Sequence, residues 1–486
     1  MLAKNRYAEI RFNDRPIKDM LSDPESFVLP PGEITADYEA KPALRLDQLY
    51  PNIADYRVVS TTRFLDPRTK TEEEEKLWSN VWLIAGVASD IPEPGDWFRF
   101  EIGPQSLIVV RAKDGEVRAL YNVCKHRGNE LVQDDFGRGA STFTCIMHSW
   151  CYNLKGRNLR ITDPQTFSAE ALSQNLNLTP AHVRVWAGLV FVNMAKDPIP
   201  FEEFYGDVMP MLESYQMDKM FVVKDLSVEI PANWKTLYSV FNETYHAHST
   251  HPQIKPYVDD HFVQYDFYRH GHNRNLFSVG TVSPRWPDQR YVNIGLAYMM
   301  QEAGLKAAGF RGDARDVRRA IQKAKRRPDN PFGISFDGFT DNQLTDDWNP
   351  SIFPNVTMNM HPEGVLLMRF RPHPVDPMRG YYDVMVLSRQ LPNGRRPPAY
   401  MGVEDHVDVS GRVRPARRRT THVDPQGGEV LDQDIANMIT LHRGMQSRGL
   451  DGVIVLSEQE RRIQQFIAEL DLYLSGAKQQ SRRIRA

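Results

Sequence analysis

The sequence predicts an α+β fold of two domains, an antiparallel β domain followed by a larger domain of mixed helices and strands. Three observations carry this. The chain has 486 residues, too many for one ordinary hydrophobic core. Short apolar or alternating runs such as SLIVVRA, EVRALYNV and LVFVNMA, separated by turn signals such as EPGD and KDGE, fill residues 82–194. Beyond the prolines at 198–200 the pattern changes to helical periodicities interleaved with strand-like runs.

Taken in order, residues 1–55 mix charges and prolines with little periodicity and form an N-terminal extension, expected to pack on the second domain. The acid-led segment TEEEEKLWSNVW predicts a helix over 71–82. The first domain then runs over 56–197 and the second over 198–486. In the second, helices are expected at 201–215 and 234–248 and a strand at 221–230. An insertion is expected near 255–347, with a basic helix in GDARDVRRAIQKAKRRPDN that either covers a site or is a solvated surface helix. Strands return at 355–360, 364–371 and 381–387, then an Arg- and Pro-rich loop at 412–419 and helices at 433–445 and 458–473.

Composition narrows the function classes. The hydrophobic fraction is 41%, the charged fraction 25% and the formal net charge -2, so no overall basic field favours nucleic acid or an anionic membrane surface. No apolar run reaches the length of a bilayer span, and the charged opening MLAKNRYAEIRFNDRP lacks a secretory pattern, so a cytoplasmic location is expected. The three cysteines, Cys124, Cys145 and Cys151, lie in one short stretch with His126 and His148, which suggests a metal site rather than a disulfide framework.

Within that stretch Cys124 and His126 form C-x-H, and Cys145 and His148 form C-x-x-H. Two thiolates and two imidazoles suit a 2Fe-2S centre with cysteines on one iron and histidines on the other. The same four donors would also satisfy tetrahedral zinc, although zinc sites of this type usually pair Cys with Cys and His with His. A second group follows in NWKTLYSVFNETYHAHSTHP, where Glu243 stands three residues before His246 and His251 five after it. On a helix ending near His246, positions 243 and 246 share a face, and an irregular extension would return His251 to the same point. Two histidines with a carboxylate make the facial triad that leaves metal positions open. Read alone, these residues are equally ordinary surface polar groups.

NVCKHRGNEL and FTCIMHSWCYNLKG resemble the Rieske motif of ring-hydroxylating non-haem iron oxygenase alpha subunits, and NWK, E-x-Y-H and H-x4-H-P resemble the mononuclear iron motif of the same family. Departures are Lys125, Met147 and Ser149 in place of frequent Pro, Tyr and Gly. The resemblance implies a Rieske 2Fe-2S domain on Cys124, His126, Cys145 and His148, with Cys151 an inert thiol. Behind it, it implies a helix-grip (START-like) catalytic domain with a curved antiparallel sheet. It implies mononuclear Fe(II) on His246, His251 and Asp434, with Asp432 the second choice for the carboxylate, and Glu243 as the electron-transfer bridge to a neighbouring subunit's cluster. It further implies a homotrimer, with or without a beta subunit, and electrons from NAD(P)H through a separate reductase or ferredoxin; Lys125 and Arg127 are candidate contacts for such an acidic partner. The activity implied is hydroxylation or cis-dihydroxylation of an aromatic or polycyclic apolar substrate with O2. Oxidative demethylation, a Rieske electron carrier without oxygenase activity and a zinc-stapled module are the alternatives.

Overall fold

The computed structural model describes residues 44–478 together with two short paired strands, Arg11–Phe12 and Arg15–Pro16. Most of the N-terminal extension therefore lies outside the described residues. From Leu44 onward the chain lies on the second domain: Leu44 bridges to Phe267, and Leu46 and Tyr50 pack with Val263, Phe267 and Ala468. No described helix is long and apolar enough to cross a membrane.

The first domain is built on a seven-stranded antiparallel sheet in the order Leu83–Val87, Leu189–Asn193, Pro180–Trp186, Val117–Tyr121, Gln105–Arg111, Trp97–Ile102, Phe136–Gly137. The continuous apolar run in Gln105–Arg111 has a simple cause. Successive side chains of a strand point to opposite faces, and here both faces are covered. Leu107 and Val109 join the large core shared with the second domain, while Ile108 and Val110 join a smaller core with Trp150 and Tyr152. That smaller core lies under a three-stranded sheet of Thr142–Thr144, Cys151–Asn153 and Asn158–Arg160.

The second domain is an eight-stranded curved sheet in the order Gln264–Phe267, Asn273–Phe277, Asp347–Ile352, Val356–His361, Gly364–Pro372, Gly380–Ser388, Phe221–Ile230, Arg418–Thr421. It is antiparallel except at the last pair, which is parallel. The helix Trp234–Val240 packs on Gly364–Pro372 and Gly380–Ser388, and the helix Glu429–Met445 packs on that helix. Every residue of Trp234–Val240 is buried, so it behaves as a core element gripped by the sheet.

Several elements differ from the sequence expectation. The helix expected over 71–82 runs instead over Arg68–Glu73 and continues as a π-helical turn, Glu74–Trp78. Pro67 sits at its start, where a missing N–H costs nothing, and the Ser79 hydroxyl and Asn80 amide bond the carbonyls of Glu74 and Glu75 at its end. The helix over 201–215 is two, Phe201–Tyr205 and Met209–Ser214, separated at Gly206 with Pro210 in the first turn of the second. The insertion is shorter than 255–347, because Gln264–Phe267 and Asn273–Phe277 are strands of the main sheet. The basic helix, Val317–Lys325, is not simply solvated: Val317 and Ile321 are buried, Arg318 pairs with Asp346 and Lys325 with Glu363.

The Arg-rich loop joins the two domains. Arg414 bonds Asp90 of the first domain through Nε at 2.6 Å and Asp225 of the second through Nη2 at 2.6 Å. Arg417 holds the other Asp225 oxygen at 3.0 Å, and Arg419 grips Asp135 of the first domain with both Nη groups. Arg414 also lies over the Phe136 ring. Burial pushes the Asp90 carboxyl up, against the pull of Arg414, so removing that cation leaves an uncompensated acid. Arg414→Ala is expected to cost about 3–5 kcal/mol in chemical denaturation, the usual result of breaking a buried ion pair from one side. A loss under about 1 kcal/mol, typical of a surface pair, would show that the loop does not clasp the domains.

Candidate metal centres

Two loops of similar construction carry the first group. The Cys124 carbonyl accepts from Gly128 N at 3.0 Å, and the Cys145 carbonyl accepts from Ser149 N at 2.9 Å. Both fourth residues have left-handed backbone, φ 83° at Gly128 and 58° at Ser149. Glycine adopts that region freely, whereas serine holds it at a cost. Each loop thereby turns back on itself and aims its cysteine inward; both cysteines are buried.

The histidines meet from the two loops, with ring centroids 4.6 Å apart. His126 stacks on Trp150 at 4.9 Å, and its Nδ1 is buried with no hydrogen-bond partner. A buried ring nitrogen without a hydrogen-bond partner is free to serve as a metal ligand. Burial raises the Cys124 thiol, partly offset by Tyr152, whose hydroxyl lies 3.3 Å from the sulfur and accepts from Lys125 N at 3.0 Å. Among the described residues only one group brings three such ligand atoms within 4.8 Å of one another, and it is not this one. The four donors thus suit a centre with two metals better than a single tetrahedral ion. Cys151 lies apart on its strand, accepting from the Thr144 hydroxyl. Lys125 Nζ donates to Thr179, and Arg127 is exposed.

The three-ligand group found among the described residues is His246, His251 and Asp434. Asp434 Oδ1 lies 2.9 Å from His251 Nε2 and 3.4 Å from His246 Nε2. The helix expected to end near His246 ends at Val240, so Glu243 and His246 lie beyond it, while His251 is brought back by an irregular extension as expected. Asn233 caps the start of Trp234–Val240, and beyond its end Asn242 donates Nδ2 to the Tyr238 carbonyl at 2.8 Å. Glu243 and His246 follow in a turn, then a short helix, Ala247–Thr250, then His251 and Pro252.

The outer nitrogen of each histidine is occupied. His246 Nδ1 donates to Glu243 Oε1 at 2.5 Å, while Glu243 Oε2 accepts from the His246 amide at 3.0 Å. His251 Nδ1 donates to Gln433 Oε1 at 2.7 Å. Both Nε2 atoms are thereby left to face Asp434, the arrangement by which neighbouring groups orient imidazole ligands. Gln433 was not visible in the sequence as a functional residue; its only signal is adjacency to Asp434. Burial alone would lower the His246 pKa, but Glu243 and Asp434 together hold it well above the usual histidine value. Burial likewise works against the Asp434 carboxylate, yet the two histidines keep its pKa low. Asp432 is used elsewhere, its Oδ1 accepting from Gly427 N. The donor set, two imidazoles and one carboxylate converging on one point, fits a ferrous ion.

Comparisons with known proteins agree with this division. Residues 81–174 match the Rieske [2Fe-2S] domain, and residues 217–476 match the ring hydroxylating alpha subunit (catalytic domain). The chain is 29% identical over 191 residues to the glycine betaine monooxygenase oxygenase subunit of Pseudomonas aeruginosa, covering 39% of this chain and 44% of that protein. It is 30% identical to the carnitine monooxygenase oxygenase subunit of Acinetobacter pittii, covering 42% and 53%, and 31% identical to the large oxygenase component of salicylate 5-hydroxylase of Ralstonia sp, covering 42% and 51%. The matched stretch thus spans about half the length of these relatives. In fold, the chain resembles a quaternary ammonium Rieske monooxygenase (TM-score 0.63, 16% identity, 89% of this chain and 99% of that one) and naphthalene 1,2-dioxygenase (TM-score 0.61, 18% identity, 86% and 92%). A Rieske [2Fe-2S] domain followed by a catalytic domain that fills more than half of the sequence places the chain in the ring hydroxylating alpha subunit family.

Proposed function

We propose that this chain is the terminal oxygenase component of a Rieske non-haem iron system. Cys124, His126, Cys145 and His148 would hold the 2Fe-2S cluster, and His246, His251 and Asp434 the ferrous ion. The observation that carries the reading is the trio itself, two imidazole Nε2 atoms converging on one buried carboxylate with both Nδ1 atoms already bonded. Once bound, the cluster would supply single electrons and the ferrous ion would activate dioxygen.

The chain's residues do the rest. Asp434 and the two imidazoles would supply three ligand atoms to the ion. Gln433 and Glu243 fix ring orientation and tautomer. Glu243 would serve as the bridge through which a histidine of a second copy's cluster is coupled to His246, in a homotrimer. Electrons would come from NAD(P)H by way of a ferredoxin or reductase.

Phe241, Phe370 and Tyr382, with ring centroids 5.2–5.4 Å apart, form an aromatic cluster beside the turn that carries Glu243 and His246, with Phe370 and Tyr382 fully buried in the core. A substrate with an apolar or aromatic reacting part is the class that the motifs' resemblance favours. A quaternary ammonium, the class named for several relatives, also rests well on aromatic faces, so both classes belong in the assay. Oxygen uptake with labelled dioxygen and a surrogate reductase should be substrate-dependent, and the position of the label separates hydroxylation from dihydroxylation and demethylation. Turnover that persists after His246→Ala with His251→Ala would sink the proposal.

Three outcomes are expected. Asp434→Asn should lower bound iron at the second site by about tenfold or more, as loss of a charged ligand does, while Asp432→Asn leaves it loaded; metal analysis beside the cluster absorbance checks both. Because His246 is held protonated in the metal-free chain and must release that proton to bind, ferrous affinity should rise by about tenfold per pH unit below its pKa, read by competition with a chelator at several pH values. Equal affinity across that range would contradict the assignment. Glu243→Leu should leave cluster and iron content intact and slow turnover by about 10–100-fold, the usual effect of removing a partner of a metal-bound histidine.

A further inference from the structure

The sheet face behind the trio is polar in an ordered way. Asn242, one residue before Glu243, accepts from the Ser351 hydroxyl at 2.7 Å, so the turn that carries His246 rests directly on this face. Along their strand Ser351, Asn349 and Asp347 point the same way, and the register sets Ser351 beside Thr357. Further along, Asn349 reaches Asn359 at 3.4 Å, Asn359 donates to Asp347 Oδ2, and Asp347 Oδ1 lies 3.8 Å from His361 Nε2. The four-residue step from Ser351 to Asp347 spans about 13 Å. The face is therefore a polar track leading away from the metal ligands.

Several atoms on this track have no partner. They are Thr357 Oγ1, Asp347 Oδ1 and His361 Nε2, with the hydroxyl of Tyr400, whose ring lies 5.6 Å from that of His361. Asp347, Thr357 and His361 are each more than nine-tenths buried. Buried polar atoms are nearly always paired, so a set of unpaired ones marks where something else is received. Burial pushes the Asp347 carboxyl up to about 7, as expected of an acid without a paired cation. Lys325, which influences His361, is engaged by Glu363 and the Leu344 carbonyl. The unmet cationic donor of the region is Arg462 Nη1, but its Nε and Nη2 are held by Asn273, Asn349 and Ser351 toward the opposite end of the track.

We propose that this track binds the non-reacting end of the substrate, and that this end carries hydrogen-bond donors, an ammonium N–H or a hydroxyl, received by Asp347 and His361. The inference rests on the trio being the reacting centre and adds which chemical class the site selects. A carboxylate head would meet Asp347 as a like charge, and a quaternary ammonium would offer it no hydrogen.

Four probes with one skeleton test this by calorimetry on the holoenzyme: 3-phenylpropylamine, 3-phenylpropan-1-ol, trimethyl(3-phenylpropyl)ammonium and 3-phenylpropanoate. At about pH 8, above the Asp347 value, the amine and the alcohol should bind about tenfold more tightly than the other two. Asp347→Leu should erase that preference; Asp347→Asn, which keeps an acceptor oxygen without charge, should weaken the amine and spare the alcohol. Should the leucine variant fail to fold, the asparagine variant and Thr357→Val decide the matter. The proposal is overturned by tightest binding of the carboxylate, which would make Arg462 the anchor, and by a quaternary ammonium equal to the amine. Absence of binding by both donor probes, or variants without effect, would assign the unpaired atoms to structural water and overturn it as well. Iron content and the electron spin resonance of the cluster, measured on the same preparations, report separately on the oxygenase reading.

Discussion

The second domain depends on one interruption. Between Trp234 and Val240 the chain is a buried helix, and continuing it would keep Glu243 and His246 on one face but turn His251, five residues on, about 140° away from His246. Asn242 prevents this with both ends of its amide, donating to the Tyr238 carbonyl and accepting from Ser351 on the sheet. One buried side chain thus closes the helix and fixes the following turn to the strand beneath it. The positions of Glu243 and His246 follow from that attachment, and the short helix Ala247–Thr250 then carries the chain round to His251.

The remaining ligand comes from the opposite direction, on a helix whose register supplies Gln433 and Asp434 in succession. Consecutive helical residues point about 100° apart, so one reaches the outer nitrogen of His251 and the other its inner nitrogen. Further down, Asn437 donates to Thr250 at 2.7 Å and secures the two segments to each other. The electrostatic consequence is a small buried region where one carboxylate serves two imidazoles and a second, Glu243, stabilises the outer proton of one of them. The two cysteine-histidine loops of the first domain solve a comparable problem without helices, by left-handed backbone at Gly128 and Ser149.

What the sequence revealed follows from what kinds of signal it carries. The two groups of candidate ligands stand out in the sequence because thiolate, imidazole and carboxylate are rare in combination and their spacing is short. The seven-stranded sheet was legible because turn residues punctuate apolar runs. The helix over 234–248 was misjudged because apolar periodicity continues past the point where Asn242 stops it, and nothing local tells a capping asparagine from a surface one. Asp434 is preferred over Asp432 in the sequence only by the resemblance of its context, and the phase of the helix separates them, aiming Asp434 at His251 and Asp432 at Gly427. The strands Gln264–Phe267 and Asn273–Phe277 were assigned to an insertion because their residues, including Asp266, Asn273, Arg274 and Asn275, are polar, and that polarity is satisfied by distant partners such as Gln465 and Arg462. The arginines of 412–419 gave no hint of their role because their partners, Asp90, Asp135 and Asp225, lie far away in the chain.

That last feature has a thermodynamic side. Each half of the molecule contributes acids to a shared set of guanidinium groups borne by a segment from the far end of the sequence. Cut apart, the amino-terminal half would expose Asp90 without its cation and leave Asp135 with Arg99 alone, and the carboxy-terminal half would be left with Arg414 and Arg417 crowded around Asp225. The halves are thus bound into a single cooperative unit, and an exchange of modules between related proteins would have to carry the arginine segment and its acidic receptors together to keep the chimera folded.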